Sequence, residues 1–140
     1  MTTAIDSNVI VALWDRGPGL SSAAQSALDT ALSHGGLIIA APVFAELMAG
    51  PGRGEAFLDS FFQETGITID WGLDEAIWRL AGRAFQAYAT RRKRQGNAGP
   101  RRILADFLIG AHALHGGYPL LTLDDRLYRV AFPGLKLLGI

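Results

Sequence analysis

Four acidic residues, Asp6, Glu46, Asp106 and Asp124, fall at the ends of strand-like runs or just inside helix-like ones, in apolar segments that carry almost no other charge. Two unit charges about 4 Å apart interact by roughly 4 kcal/mol at an effective dielectric near 20, so a bare cluster of four carboxylates would be destabilising or partly protonated. A divalent cation removes that conflict. With no cysteine in the chain and no pair of histidines at metal-binding spacing, all-oxygen ligation suits Mg²⁺ or Mn²⁺ rather than zinc. Such ions promote phosphodiester hydrolysis by activating a water, neutralising the phosphate and stabilising the leaving oxygen, with no protein nucleophile required. The chemistry these residues point to is that of a metal-dependent nuclease.

Taken singly, the acids carry unequal weight. Asp6 alone suits a helix cap, a common use of Asp after a strand. Glu46 could be an ordinary helix residue, although it lies between apolar neighbours in Phe44-Ala45-Glu46-Leu47. Asp106 is harder to explain structurally, because a carboxylate in a helix apolar on most sides must be paired, ligated or at a helix edge. Of the adjacent Asp124 and Asp125, the first is assigned to the metal and the second to a cap or an outer-shell role. His34, His112 and His115 read as structural or surface residues, the last two near the mouth of the site.

The elements that must position these groups follow from hydrophobic periodicity and from Gly and Pro breaks. Thr2 to Ile5 reads as a buried strand that turns at Asp6 into a short helix through Trp14. Ser21 and Ser22 can cap a second helix to about Leu32. Leu37 to Ala40 is a strand, Pro42 suits the first turn of the next helix, and Gly50-Pro51-Gly52 stops it. A helix over Glu55–Phe62 and a strand over Ile67–Ile69 come next. From Asp74 to about Arg94 apolar residues recur every three and four, which gives the longest amphipathic helix. Gln95 to Pro100 reads as a loop and Arg101 to His115 as a helix apolar nearly all round. A strand over Tyr118–Thr122, a short helix over Asp125–Val130 and a strand over Leu135–Leu138 complete the order. Apolar strands alternating with helices indicate a largely parallel sheet covered on both faces, with ligands bound beyond the carboxyl ends of its strands.

At 140 residues the chain fits one domain with a core of its own. The absence of cysteine excludes disulfides and thiolate chemistry and is compatible with a reducing cytosol. The start lacks the pattern of a secretory signal, and no apolar run is long enough to span a bilayer, so a cytoplasmic protein is expected. Formal charge is zero. Even so, the stretch from Arg83 to Arg102 holds Arg83, Arg91, Arg92, Lys93, Arg94, Arg101 and Arg102 with no Asp or Glu. Such a stripe either grips a phosphate backbone or simply favours the negative pole of a helix.

Four segments together resemble the signature segments of PIN-domain nucleases: Ala4-Ile5-Asp6-Ser7-Asn8-Val9, Pro42 to Leu47, Ala105 to Ala113 in Ala-Asp-Phe-Leu-Ile-Gly-Ala-His-Ala, and Leu120-Leu121-Thr122-Leu123-Asp124-Asp125-Arg126. The likeness spans nearly the whole chain and is greatest to the VapC-type toxins of toxin–antitoxin pairs. It implies a PIN-like three-layer α/β/α sandwich around a mostly parallel sheet of four to five strands. It further implies Mg²⁺- or Mn²⁺-dependent endoribonuclease activity, a homodimer and a small cognate antitoxin. Carried onto this chain, the metal-binding acids are Asp6, Asp106 and Asp124, with Glu46 directly or through water, and Ser7 and Thr122 are hydroxyl partners. Leu123 stands where many members carry a basic or polar residue before the acid, which bears on substrate grip.

In this scheme Arg91, Arg92, Lys93, Arg94, Arg101, Arg102 and Arg126 bind the RNA backbone, which positions a substrate without choosing its sequence. A groove around Trp14, Phe44 and Leu47 is a candidate antitoxin surface, although Trp14, Trp71 and Trp78 also suit a core. Rival expectations are a PIN nuclease with a non-toxin role in RNA processing, a phosphoacceptor module, and a non-catalytic binding domain. The phosphoacceptor scheme wants a lysine after the last strand, and the only lysines are Lys93 and Lys136.

Overall fold

A computed structural model describes residues 1–96 and 102–140. Strand β1 (Thr3–Ile5) is wholly buried and runs into helix α1 (Ser7–Leu13), followed by α2 (Leu20–His34). Strand β2 (Leu37–Ala40) feeds α3 (Ala41–Met48) and α4 (Glu55–Thr65), and β3 (Thr68–Asp70) feeds the long α5 (Glu75–Arg94). The order closes with α6 (Leu104–Gly116), β4 (Leu120–Leu121), α7 (Asp125–Ala131) and β5 (Leu137–Leu138).

Among the described residues the sheet has five strands, all parallel, in the order β3-β2-β1-β4-β5. The expected sheet was mostly parallel and is wholly so. From the central β1 the chain winds one way through β2 to β3, then crosses to β4 on the other side of β1 and ends at β5. Right-handed crossovers place the helices of the two windings on opposite faces, which makes the α/β/α sandwich. The direction reverses between β1 and β4. In open parallel sheets such a reversal leaves a crevice at the carboxyl ends of the two strands, which here is where Ile5 pairs with Leu121.

Strand β3 is shifted by one residue from the expected Ile67–Ile69, β4 and β5 are shorter than the expected Tyr118–Thr122 and Leu135–Leu138, and three helix boundaries differ for local reasons. The N-cap of α2 is Gly19, at φ 90°, so Ser21 and Ser22 lie inside the helix; Ser21 Oγ instead donates to the carbonyl of Leu13, tying α2 to α1. Helix α4 continues a turn past Phe62 and stops at the left-handed Gly66. Helix α6 starts at Leu104 rather than Arg101, because Ile103 is extended and the Arg102 N–H is spent on the Tyr88 hydroxyl at 2.8 Å. Asp106 therefore sits in the first turn of α6. The expected loop from Gln95 lies outside the described residues from position 97 to 100, as does Arg101.

The core runs through Ile5, Ile10, Ile39, Leu47, Phe107 and Leu121, all at most 2% exposed. Helix α6 is buried continuously from Phe107 to Ala113, since α5 covers it and the Phe85 ring stacks on Phe107 at 4.7 Å between centroids. Trp71 and Trp78 are exposed, so they are not core residues, and the half-buried Trp14 packs edge-on to Phe57 and Phe61. Among the described residues no helix is long and apolar enough to cross a membrane.

Gly110 lets α6 approach the segment after α7, because a Cβ there would stand 2.3 Å from Cε2 of the buried Phe132 ring. Gly82, exposed on α5, has nothing within 4 Å of the same position. Gly110→Ala is expected to lower stability by about 1–3 kcal/mol through overpacking. Gly82→Ala should raise it by roughly 0.5–1 kcal/mol through helix propensity. Urea unfolding of the two variants checks this opposite pair of signs.

Candidate functional site

The crevice between β1 and β4 gathers the acids. Asp6, immediately after β1, donates its N–H to the Leu121 carbonyl at 3.0 Å, which sets it beside the end of β4. Its side chain is 4% exposed and makes no capping hydrogen bond to α1. Instead Oδ2 accepts from the Thr122 hydroxyl at 2.8 Å and from the Tyr128 hydroxyl at 3.0 Å. The Thr122 oxygen in turn accepts from Asp124 N at 3.0 Å and Asn8 Nδ2 at 3.3 Å, while Asn8 Oδ1 accepts from Leu123 N at 3.1 Å. Thr122 thus uses its one proton and both lone pairs, and the turn into α7 is stitched to α1.

Glu46 reaches the crevice from α3. Its Oε1 accepts from Ser7 Oγ at 3.0 Å, and the same hydroxyl lies 3.4 Å from Asp6 Oδ1. Asp106, in the first turn of α6, accepts from Ile103 N at 3.4 Å, a favourable place for negative charge at a helix N-terminus. Asp124 precedes α7 but makes no capping hydrogen bond. Its Oδ2 accepts from Arg102 Nη1 at 2.5 Å.

The acids share one electrostatic field. Burial pushes the Asp6 carboxyl above the usual range, repulsion from Asp106 adds to the rise, and the Thr122 and Tyr128 hydroxyls oppose it. Glu46 is raised by burial and by repulsion from Asp6 and Asp106, against its bond from Ser7. Asp106 is raised by burial and by Asp124, while the Ile103 amide and the Arg102 charge pull it down. Tyr128 is held firmly protonated by its own burial and by Asp6, Asp106 and Glu46.

Among the described residues no three acids or histidines close into a ready-made cation cage. Arg102 occupies Asp124, and the remaining acids repel one another. The donor set nonetheless fits a hard divalent cation: four carboxylates on four elements, all oxygen, partly desolvated and in mutual repulsion that positive charge would relieve.

Other candidate residues lie elsewhere. Asp125 is exposed and pairs with Arg129 on the α7 surface rather than with the cluster. Arg126 is exposed in the first turn of the same helix. Arg91, Arg92, Lys93 and Arg94 form the last turn of α5. Arg92 lines an open cleft with Phe85, Tyr88, Arg102, Ile103 and Leu104. His112 is buried and 2.9 Å from Asp70, and His115 is 3.5 Å from Asp74. Both histidines line a separate cleft with Leu73 and Tyr118, not the mouth of the crevice.

Sequence reasoning missed Tyr128 and Asn8. A polar Asn opening an apolar helix was a usable signal for the second. Tyr128 carried a weaker one, a hydroxyl one helical turn beyond Asp124.

Raised carboxyl values make a definite prediction about stability. A group whose pKa rises on folding stabilises the fold below its ordinary pKa, and that contribution is lost as pH rises through the raised value. In chelator, Glu46→Gln should therefore unfold at a higher temperature than wild type at pH 7, and the gap should close as pH falls into the ordinary carboxylate range. Scanning calorimetry across that range checks it; a gap that widened toward acid would contradict the repulsion. Tyr128→Phe, which leaves Asp6 Oδ2 with one donor fewer, should cost about 1–2 kcal/mol.

The PIN domain, as a sequence family, matches residues 3–133. No curated protein sequence gives a significant match. Among solved structures, VapBC2 from Rickettsia felis, bound to a DNA fragment from the pair's promoter, contains a chain 20% identical to this one with a TM-score of 0.70, covering 99% of this chain and 98% of that one. VapBC-1 from nontypeable Haemophilus influenzae gives 20% identity, a TM-score of 0.68 and the same two coverages. A toxin–antitoxin complex from Klebsiella pneumoniae gives 16% identity, a TM-score of 0.61 and coverages of 95% and 94%. At these identities the likeness is one of fold. With the family match extending from β1 past α7, over acids that meet at the switch point of a parallel sheet, the chain belongs to the PIN-domain family.

Proposed function

We propose that this chain is a metal-dependent endoribonuclease that serves as the toxin of a toxin–antitoxin pair. PIN domains are nucleases, and the observation that carries the proposal here is the meeting of Asp6, Glu46, Asp106 and Asp124 in one repelling, partly buried field. Asp6, Asp106 and Asp124, with Glu46 directly or through water, would hold Mg²⁺ or Mn²⁺. Such a cation supplies an activated water and neutralises a phosphodiester.

The chain's own residues do the rest. Thr122 and Tyr128 fix Asp6 from behind through Oδ2, which leaves Oδ1 turned toward Ser7 and Glu46. Ser7 orients Glu46. Arg91, Arg92, Lys93, Arg94, Arg101, Arg102 and Arg126 grip the RNA backbone, and the rings of Phe85 and Tyr88 beside Arg92 and Arg102 offer faces for unpaired bases. Fold likeness to VapBC chains and to a toxin–antitoxin complex supports a cognate antitoxin as partner; a homodimer is part of the same proposal.

A phosphoacceptor role is disfavoured by the position of its lysine. The Lys136 carbonyl accepts from Leu120 N ahead of β5, so Lys136 lies at the sheet end opposite the acids. It lines a groove with Met1 and Thr3 instead.

Purified protein incubated with mixed structured RNA and Mg²⁺ or Mn²⁺ should cleave it and leave 5′-phosphate and 3′-hydroxyl ends. EDTA should abolish cleavage, and Asp6→Asn should reduce it by at least about 100-fold. End mapping is the check, because 2′,3′-cyclic phosphate ends would mean that the ribose hydroxyl, not water, attacks. Growth arrest on expression, relieved by the product of a small neighbouring gene, would assign the toxin role; RNA cleavage without arrest would favour RNA processing.

A further inference from the structure

Arg102 occupies a position that backbone gripping alone does not explain. Its Nη1 lies 2.5 Å from Asp124 Oδ2, with the two side chains only 24% and 30% exposed. It is also the cation that pulls the Asp106 carboxyl down. Its N–H donates to the Tyr88 hydroxyl at 2.8 Å and the extended Ile103 follows, which ties its backbone to α5. On one side the Arg102 side chain meets the carboxylates, and on the other it lines the open cleft of Phe85, Tyr88 and Arg92.

We propose that Arg102 is the resident counter-ion of the cluster, a guanidinium that holds Asp124 until a divalent cation takes that carboxylate and that then turns to a phosphodiester oxygen in the cleft. The inference rests on the cation-dependent nuclease proposed above. A guanidinium and a divalent cation compete for the same carboxylate oxygen and repel each other across it, whereas a guanidinium donates to carboxylate and phosphate oxygens from the same planar group. Exchange of one for the other leaves neither anion unpaired. By linkage, whatever draws Arg102 off Asp124 must tighten the cation, and cation binding must in turn release Arg102 for substrate.

The test measures Mn²⁺ affinity by electron paramagnetic resonance of the free ion, which needs no turnover, in wild type, Arg102→Met, Arg102→Lys and Asp6→Asn. Arg102→Met should bind Mn²⁺ about tenfold more tightly than wild type, equivalent to about 1.4 kcal/mol. Arg102→Lys, which keeps the charge but not the planar guanidinium, should fall between the two. In EDTA, Arg102→Met should melt below wild type, and saturating Mn²⁺ should erase the deficit. Equal or weaker Mn²⁺ affinity in Arg102→Met, with binding present in wild type and reduced in Asp6→Asn, overturns the counter-ion role and leaves the cation site standing. If Arg102→Met does not fold, an Arg102→Lys affinity no tighter than wild type overturns it equally. Absence of Mn²⁺ binding in wild type overturns the cation site and the counter-ion role together.

Discussion

The burial of Asp6 at the end of the central strand is the constraint to which the rest of the crevice answers. A carboxylate 4% exposed needs compensation from within the protein. It finds this in two hydroxyls that come from the far end of the sequence, Thr122 and Tyr128. Those two donors require β4 to sit beside β1 and α7 to fold back over the edge of the sheet. The wholly parallel order with its reversal at β1 and β4 meets that requirement. Gly110 serves the same packing, because the close approach of Phe132 to α6 brings the end of α7 inward.

Two kinds of compensation divide the cluster. Asp6 and Glu46 are held by neutral hydroxyl donors, which orient a carboxylate and lower its proton affinity without cancelling its charge. Asp124 is held by an arginine, which does cancel it. One half of the crevice is therefore held by uncharged donors, while in the other half a carboxylate is paired with a cation. Asp106 lies between them, repelled by Asp124 and eased by Arg102 and the start of α6.

Much of this was legible in the amino-acid order, for a physical reason. Buried parallel strands are short apolar runs, and helices over them keep a three-to-four spacing, so Leu37–Ala40 and the long helix after Asp74 announced themselves. The acids stood out because charge is rare in such segments, Asp106 most of all. What the order did not carry is which polar atom satisfies which. Ser21 and Ser22 looked like caps, yet Gly19 takes the cap and Ser21 bonds to α1, a choice made by packing rather than by local preference. Arg102 looked like one more member of a basic stripe, and only the turn at Ile103 aims it at Asp124. Tyr128 lies 122 positions from the acid it serves, a separation across which no periodicity extends.

That separation has a temporal consequence. The bonds from Asp6 to residues 116 and 122 positions later, and the ties of Asn8 to Thr122 and Leu123, are among the longest loops the chain closes. Contacts of such range form late and slowly, since chain entropy must be given up before they reward it. On the ribosome the first strand must therefore wait, its acid without native partners, until Thr122 and Tyr128 have emerged. A chain not yet extended through Tyr128 lacks the assembled crevice, so the chemistry proposed for it stays latent until α7 has been made.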